Sequence, residues 1–575
     1  MSKANYKVLP KVGSYNACTK TEWSFPVKKA CKLVLAAALA AALLMSAAVF
    51  ASAAEKPLKI AVAADLHYRP YSELTPLAQV DFSKEPIFGH ANDKSMLTYE
   101  ADAILAAFFK QVEASGARYL LVPGDLTEEG HWAEHRGIAK QLKDFQRRSG
   151  IKVFVVPGNH DIRTSASRGR LDLSDFLELY ADLGYNRALA RREGDASYTA
   201  ELDDTYRLLA IDAVIYRDDA SLITPELFAW IREQLSQAKA DGKKVIAMTH
   251  YNTLDHFFIE GFVAGLLTID QYRDLSATLA DAGVKYAFTG HLHANDIAWT
   301  ETRKGNRHFD VTTGSLLTYP NAWRQVTFSD GAVKIETKHV DKIDTSLLPK
   351  GFSKAQLDQM KKDFPAYSLG YHRAAFRSYA DMIPDLTGTL ADALNVSEGS
   401  NAWRVIDAVV MSLKSAVDQP LYGETGSVEA LAKQAGVTLA PSDYVNLLDI
   451  AGGLYGGFYA GNENSPMGST QMKLLGQAVN ATLVNAFVPD LGPMRRLAAR
   501  RIYARTPGKA FTNEFVRTLA QGILTNWSAQ EDLNATLEPY GAKWDMKGNA
   551  VKNTDFAFVM NVIWQLGMIP VNAIF

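Results

Sequence analysis

The chain has 575 residues, 47% of them hydrophobic and 22% charged, a globular composition too long for one ordinary core and unlike that of disordered or collagen-like chains. Its net charge of -2 hides an asymmetry, because residues 1–53 hold seven lysines against one glutamate and leave -8 for the remainder. A net-acidic body argues against general nucleic-acid binding, which needs a basic face.

The basic segment has the layout of an export signal. Lys28, Lys29 and Lys32 precede an apolar run over 33–50, and Ala51-Ser52-Ala53 supplies the small residues after which a signal peptidase cuts. The alternative is an uncleaved anchor, since the run is about long enough to span a bilayer. In that case the segment is the chain's membrane contact. Either way the body is expected to be exported, to a secreted, periplasmic or cell-surface location. Both cysteines, Cys18 and Cys31, fall in this leader, so the body lacks disulfide and thiol chemistry and must hold any metal through nitrogen and oxygen.

The body opens with Lys59-Ile60-Ala61-Val62-Ala63, an apolar strand running into Asp65-Leu66-His67. In an extended segment, alternation puts residues 65 and 67 on one face, a ligand-pair geometry. Residues 68–95 are polar, with Pro70, Pro76 and Pro86, and are expected to form a long surface loop over the site. A helix follows around 99–114. Tyr119-Leu120-Leu121-Val122 then leads into Pro123-Gly124-Asp125, and a helix around 132–148 leads to Val153-Phe154-Val155-Val156 and Pro157-Gly158-Asn159-His160-Asp161. A strand ending in a glycine turn delivers its next side chains to the rim of a sheet, where open α/β folds keep their sites.

The stretch from 162 to 205 is irregular and charged, and Arg163, Arg168 or Arg170 there could touch an anionic substrate. A strand over 208–211, a helix over 225–240 and a strand over 245–248 precede Thr249-His250. A helix near 270–282 and a strand over 286–288 precede Thr289-Gly290-His291-Leu292-His293. Strands near 308–312, 325–328 and 333–337 complete this part, and the alternation of strands and helices is an α/β signature. Past Lys350-Gly351, helical patterns dominate, over 353–364, 371–392, 402–417, 427–435, 467–487, 511–524 and 555–567. The sequence thus divides into a leader (1–53), an α/β domain (54–345) and a mainly α-helical C-terminal domain (346–575) of unknown role.

Five apolar strands therefore end in ligand-type residues: Asp65 and His67, Asp125, Asn159 and His160, His250, and His291 and His293. Imidazole, carboxylate and carboxamide donors without thiolates suit divalent ions of the Mn, Fe, Zn or Ni type. Eight such groups exceed the needs of one ion. Two ions about 3.5–4 Å apart, bridged by one carboxylate, use seven and leave one histidine for acid–base work. Such a pair binds phosphoryl oxygens and activates a bridging water for in-line attack, which is phosphoester hydrolysis.

In this order, D-x-H, G-D, G-N-H-D, H and G-H-x-H, the motifs resemble those of the calcineurin-like metallophosphoesterase family over roughly 57–340. The resemblance implies a β-sandwich flanked by helices. It assigns Asp65, His67 and His293 to one metal, Asn159, His250 and His291 to the other, and Asp125 as the bridge. His160 is then expected to meet the leaving-group oxygen, with Asp161 orienting it. Purple acid phosphatases of this family place a tyrosine three residues beyond the bridging aspartate, where this chain has Glu128. A phenolate-bound ferric ion is therefore not expected. Small bacterial cyclic-nucleotide phosphodiesterases share the motif set, which favours a phosphodiester over a phosphomonoester substrate. The alternative is a non-catalytic metal-binding scaffold that uses the same fold as a docking surface.

Overall fold

The computed structural model describes residues 57–461, except 84, 93, 163–169, 217–219, 257–264, 266–267, 330–331, 379–386, 389–390, 392–395 and 435–437, together with 470, 471, 474, 477, 534–538 and 541–542. The leader, Arg163 and Arg168, and the helices expected over 511–524 and 555–567 lie outside these residues, as does nearly all of 467–487. Residues 57–575 cluster as one compact unit. No described helix is long and apolar enough to cross a membrane.

Two seven-stranded sheets make the body. The first contains β1 (Leu58–Val62), β2 (Tyr119–Pro123), β3 (Lys152–Val156), β13 (Ala322–Ser329), β14 (Ala332–His339), β15 (Asn534–Glu538) and β16 (Gly541–Ala542), in the order β16-β15-β14-β13-β1-β2-β3. The second is ordered β11-β12-β10-β9-β6-β5-β4, with β4 (Ala188–Arg191), β5 (Tyr198–Glu201), β6 (Tyr206–Ile211), β9 (Lys244–Thr249), β10 (Tyr286–Thr289), β11 (Asp296–Glu301) and β12 (Arg307–Thr312). A two-stranded ribbon of β7 (Val214–Ile215) and β8 (Ala220–Ser221) stands apart. The core between the sheets joins Val62, Leu121 and Phe154 of the first to Leu208, Ala210, Met248 and Phe288 of the second. The alternate residues Leu209, Ile211, Ala247 and Ala287 face the other way and meet Leu227, Ile231 and Leu235 of α4 (Pro225–Ala240) and Leu275 and Leu279 of α5 (Tyr272–Asp281). This period of two makes the second sheet apolar on both faces. Helices α1 (Ala101–Ser115) and α2 (Trp132–Ser149) cover the first sheet, with Phe108 against Trp323 and Phe109 stacked on Phe145. The body is thus an α/β sandwich flanked by helices. Strands β1, β2 and β3 are mutually parallel, as are β6, β9, β10 and β12, so the ends of β1, β2, β3, β9 and β10 can share one rim.

The charged stretch before Tyr206 is more regular than its composition indicates, since it contains α3 (Leu173–Leu179), β4 and β5. The C-terminal part carries α6 (Lys354–Lys362), α7 (Phe364–Ser378), α8 (Asn401–Asp418), α9 (Val428–Gln434) and α10 (Leu447–Tyr459). It also lends β15 to the first sheet, antiparallel to β14. No helix is expected from the sequence over α10, whose four glycines lower intrinsic helicity. They serve packing instead: a Cβ on Gly452 would come within 2.9 Å of the Phe376 Cβ on α7.

Among its described residues, 68–95 is the expected irregular and largely exposed loop, with 3-10 turns over Tyr71–Glu73 and Leu77–Gln79, but it is anchored to the body. Leu77, His90 and Ser95 are buried, as are Met96 and Leu97 beyond them, because α7 packs over the segment. Tyr367 donates to Glu100 Oε1 at 2.6 Å, and His90 Nε2 lies 3.1 Å from the same oxygen.

Candidate metal centre

The five strand ends meet at the rim, by a different route from simple alternation. Strand β1 stops at Val62 and β10 at Thr289, and the residues past them leave the extended conformation. Asp65, His67, Asp125, His291 and His293 all have φ between 37° and 69°. These left-handed backbones are strained for residues with a Cβ, and such strain gathers at functional sites. Hydrogen bonds hold them there: Asp65 N–H donates to Gly124 O at 3.3 Å, His67 N–H to Asp125 O at 2.9 Å, and His291 N–H to both Asp65 carboxylate oxygens at 3.0 Å. Glycine is required where chains cross. A Cβ on Gly158 would sit 2.2 Å from Asp125 Oδ1, and one on Gly124, at φ 87°, would enter the His250 ring.

All seven expected metal ligands come together. The ligand atoms of Asp65, His67 and His293 lie within 4.8 Å of one another, and so do those of Asp125, His250 and His291. Asn159 Oδ1 is 2.9 Å from His250 Nε2. Asp125 stands between the groups, with Oδ2 3.5 Å from His67 Nε2 and 3.3 Å from His250 Nε2.

The protonation pattern fits cations. His250 Nδ1 donates to the Pro123 carbonyl at 3.0 Å, so a neutral ring presents a bare Nε2. Around that nitrogen are Asn159 Oδ1, Asp125 Oδ2 and, at 3.2 Å, His291 Nδ1. Likewise His67 Nδ1 is paired with Glu128 Oε2 at 2.7 Å, and its Nε2 lies 3.0 Å from His293 Nε2. A cation among these nitrogens and the Asp125 carboxylate would take up their lone pairs, which is the arrangement a metal site needs. The pocket also draws positive charge: burial opposes charging His250, yet with no cation present the Asp125 and Asp65 carboxylates outweigh it and raise its pKa to about 9, a charge that a bound cation would replace. Burial raises the Asp65 carboxyl, while burial and the neighbouring His67 hold His293 well below the usual imidazole range.

His160 Nδ1 lies 2.5 Å from the Glu128 carbonyl, to which it donates, so Nε2 is the nitrogen left to exchange a proton. The expectation that Asp161 orients this ring needs correction. The buried Asp161 carboxylate accepts from the N–H groups of Leu126, Thr127 and Gly158 at 2.9–3.1 Å and from Thr127 Oγ1 at 2.8 Å. Those donors consume it, and it staples the Asp125 loop to the Asn159 loop.

Glu128 is the functional neighbour that sequence reading uses only to note a missing tyrosine. One carboxylate oxygen holds His67 and the other pairs with Lys94 at 2.5 Å, while burial of Glu128 is outweighed by His67, which lowers its pKa to about 2. A carboxylate on the far nitrogen of a metal-binding histidine fixes its tautomer and aim. Of the three arginines that follow the G-N-H-D motif, Arg170 is paired with Glu129 at 3.1 Å. From the C-terminal part, the Tyr459 carbonyl accepts from Asn295 N–H and Nδ2, and its ring is 6.4 Å from that of His293.

Residues 58–295 match the family model described as calcineurin-like phosphoesterase. Among solved structures, a dimetal phosphatase from Danio rerio is 10% identical, with 50% of this chain and 98% of that one covered and a TM-score of 0.37. A purple acid phosphatase from yellow lupin seeds is 12% identical, covering 50% and 52% at a TM-score of 0.32. Phosphopantetheinyl hydrolase from Mycobacterium tuberculosis is 15% identical, covering 45% and 89% at a TM-score of 0.25. No curated protein matches the chain.

Proposed function

Residues 58–295 form a domain of the calcineurin-like phosphoesterase family, and from that premise we propose that the chain is an exported hydrolase of phosphoesters, diesters before monoesters, that works with two divalent cations. The observation that supports this best is the convergence of imidazole nitrogens and carboxylate oxygens around Asp125.

Asp65, His67 and His293 would hold one cation, Asn159, His250 and His291 the other, and Asp125 both. When bound, such a pair supplies neutralisation of phosphoryl charge and a nucleophile from water at neutral pH. The protein's own residues do the rest. Glu128, 2.7 Å from His67 Nδ1, would keep that ring's proton on Nδ1 and leave Nε2 to the centre. The Glu128 carbonyl aims His160, whose Nε2 proton would pass to the departing oxygen. A docking scaffold has no use for a ring aimed in this way. Export is supported by the lysine-rich start, the apolar run and Ala51-Ser52-Ala53.

The test is hydrolysis by the 54–575 protein of bis-nitrophenyl phosphate beside nitrophenyl phosphate, after chelation and Mn²⁺ add-back. Metal-dependent turnover that favours the diester is expected. Preference for the monoester would make the protein a phosphatase, and a metal-loaded protein inert to both would return the scaffold reading.

A further inference from the structure

Lys94 comes from the segment that α7 covers, yet its ammonium reaches the candidate site. Nζ lies 2.5 Å from Glu128 Oε1, and the lysine side chain is 42% exposed beside a carboxylate only 8% exposed. The other Glu128 oxygen holds His67 Nδ1, and the Glu128 carbonyl holds His160 Nδ1. Lys94 is thus one residue removed from both a candidate metal ligand and the candidate leaving-group acid.

The turn that presents it is built to stay in place. Asn92 Oδ1 accepts from Met96 N–H at 3.0 Å, Asn92 Nδ2 donates to Met96 O at 2.8 Å, and Ser95 N–H donates to Asn92 O at 3.0 Å. Ser95 sits at φ 53°, a left-handed conformation that a serine holds only when its surroundings enforce it. The enforcement comes from α7. The Tyr371 hydroxyl lies 2.8 Å from Met96 O, 3.2 Å from His90 O and 3.3 Å from Asn92 N, and His372 Nδ1 lies 3.0 Å from Ser95 Oγ. A surface ion pair of a mobile lysine has no such scaffolding, and is ordinarily worth little.

We propose that Lys94 is a substrate-binding cation of this site, shared between Glu128 and a non-bridging phosphoryl oxygen of the substrate, and that α7 exists in part to hold it there. The inference rests on the phosphoesterase reading above. An ammonium has three donors. One is committed to Glu128, and the exposed part of the side chain leaves the others for an anion arriving at the rim. Pairing with Glu128 also cancels a negative charge that would repel a phosphoester.

The experiment compares Lys94→Met, Lys94→Arg and Tyr371→Phe with the wild-type 54–575 protein, each loaded with Mn²⁺ and assayed for metal content. Lys94→Met is expected to raise KM by roughly tenfold or more, the scale of a lost charge-assisted hydrogen bond, with metal content and kcat held within a few-fold. The rise should be larger for dianionic nitrophenyl phosphate than for the monoanionic diester. Lys94→Arg should restore most of the loss, and Tyr371→Phe should show a smaller rise in KM. An unchanged KM in Lys94→Met overturns the proposal. So does a fall in metal content that accounts for the lost rate, because Lys94 would then be only the charge partner of Glu128. If the wild-type protein turns over neither ester, the phosphoesterase reading fails separately, and binding of inorganic phosphate to the Mn²⁺-loaded proteins still decides Lys94: weaker binding in Lys94→Met sustains it as an anion site, and equal binding removes it.

Discussion

Asp125 stands between the two groups of ligands. Its Oδ1 accepts from the His160 N–H at 2.9 Å, while Oδ2 faces His67 and His250. Burial opposes its ionisation, but His250 and His160 hold its carboxyl well below the usual range. Asp125→Asn keeps the shape and removes the charge, and is expected to lower the content of both metals, checked by elemental analysis after dialysis. His160→Ala should keep the metals and slow turnover about 10²–10⁴-fold, the scale of a lost general acid. The loss should shrink for substrates with acidic leaving groups such as nitrophenol, and equal loss for good and poor leaving groups would remove the acid role. The residues of this site were legible because their types and order recur at the ends of apolar strands. Their conformations were not, since alternation describes extended chain and Asp65, His67, His291 and His293 lie beyond the strands at positive φ. Nor could spacing show that Asp161 spends its carboxylate on backbone donors, because that depends on where the Asp125 loop passes in space.

At the scale of elements, α7 is the joint between the segment 68–100 and the C-terminal helices. It binds that segment through Tyr367, Tyr371 and His372, and binds α10 through Arg373 and Arg377, which pair with the buried Asp449 at 2.6 and 2.9 Å. His372 is fully buried against Ser95 and the rings of Tyr319, Phe376 and Tyr459, and burial lowers its pKa to about 3. The folded protein therefore keeps this ring neutral, whereas the unfolded chain protonates it below about pH 6.5. Its contribution to stability is complete above that pH and is lost as pH falls toward 3, with about 1.4 kcal/mol gone by pH 5.5. His372→Gln should accordingly flatten the loss of unfolding free energy between pH 7.5 and 5.5 by about 1 kcal/mol, measured by denaturant titration. The histidines of the metal centre contribute equally to both proteins and cancel in the comparison, so superimposable pH dependences would contradict the assignment. Periodicity located α1, α2, α4 and α5 and the strands β1, β2, β3, β6, β9, β10, β12, β13 and β14 to within a few residues, but not β4, β5 or β11. It missed α10, whose glycines argue locally against a helix and are explained only by the close approach of α7. It read 68–95 as a loop, as the structure has it, but three prolines and a polar composition hide the few buried anchors, Leu77 and His90 among them.

For the whole molecule, two sheets from opposite sides of one core bring their parallel strand ends to a common rim, and the C-terminal part closes over that rim from outside. None of the seven candidate ligands lies beyond residue 293, whereas Tyr371, His372 and the β15 partner of β14 all do. Truncation near residue 345 is therefore expected to leave the ligand set intact but to uncover Met96, Leu97 and the edge of β14, with poorer solubility by light scattering. A monodisperse truncated protein with wild-type KM would assign the C-terminal part no role at the site. The proposed export predicts a mature protein with the mass of a chain lacking residues 1–53, whereas an intact N-terminus would favour an anchor. The sandwich was legible from its motif set, while the contribution of β15 was not, because a single short strand in a helical context carries too little pattern to be told from its surroundings. The most direct test of the central claim is the number of divalent cations bound per 54–575 chain, measured by equilibrium dialysis against Mn²⁺ with elemental analysis, alongside Asp125→Asn. Two per chain, falling to one or fewer in the variant, is the predicted result. A wild-type protein that binds none, or whose binding is indifferent to Asp125, would contradict it.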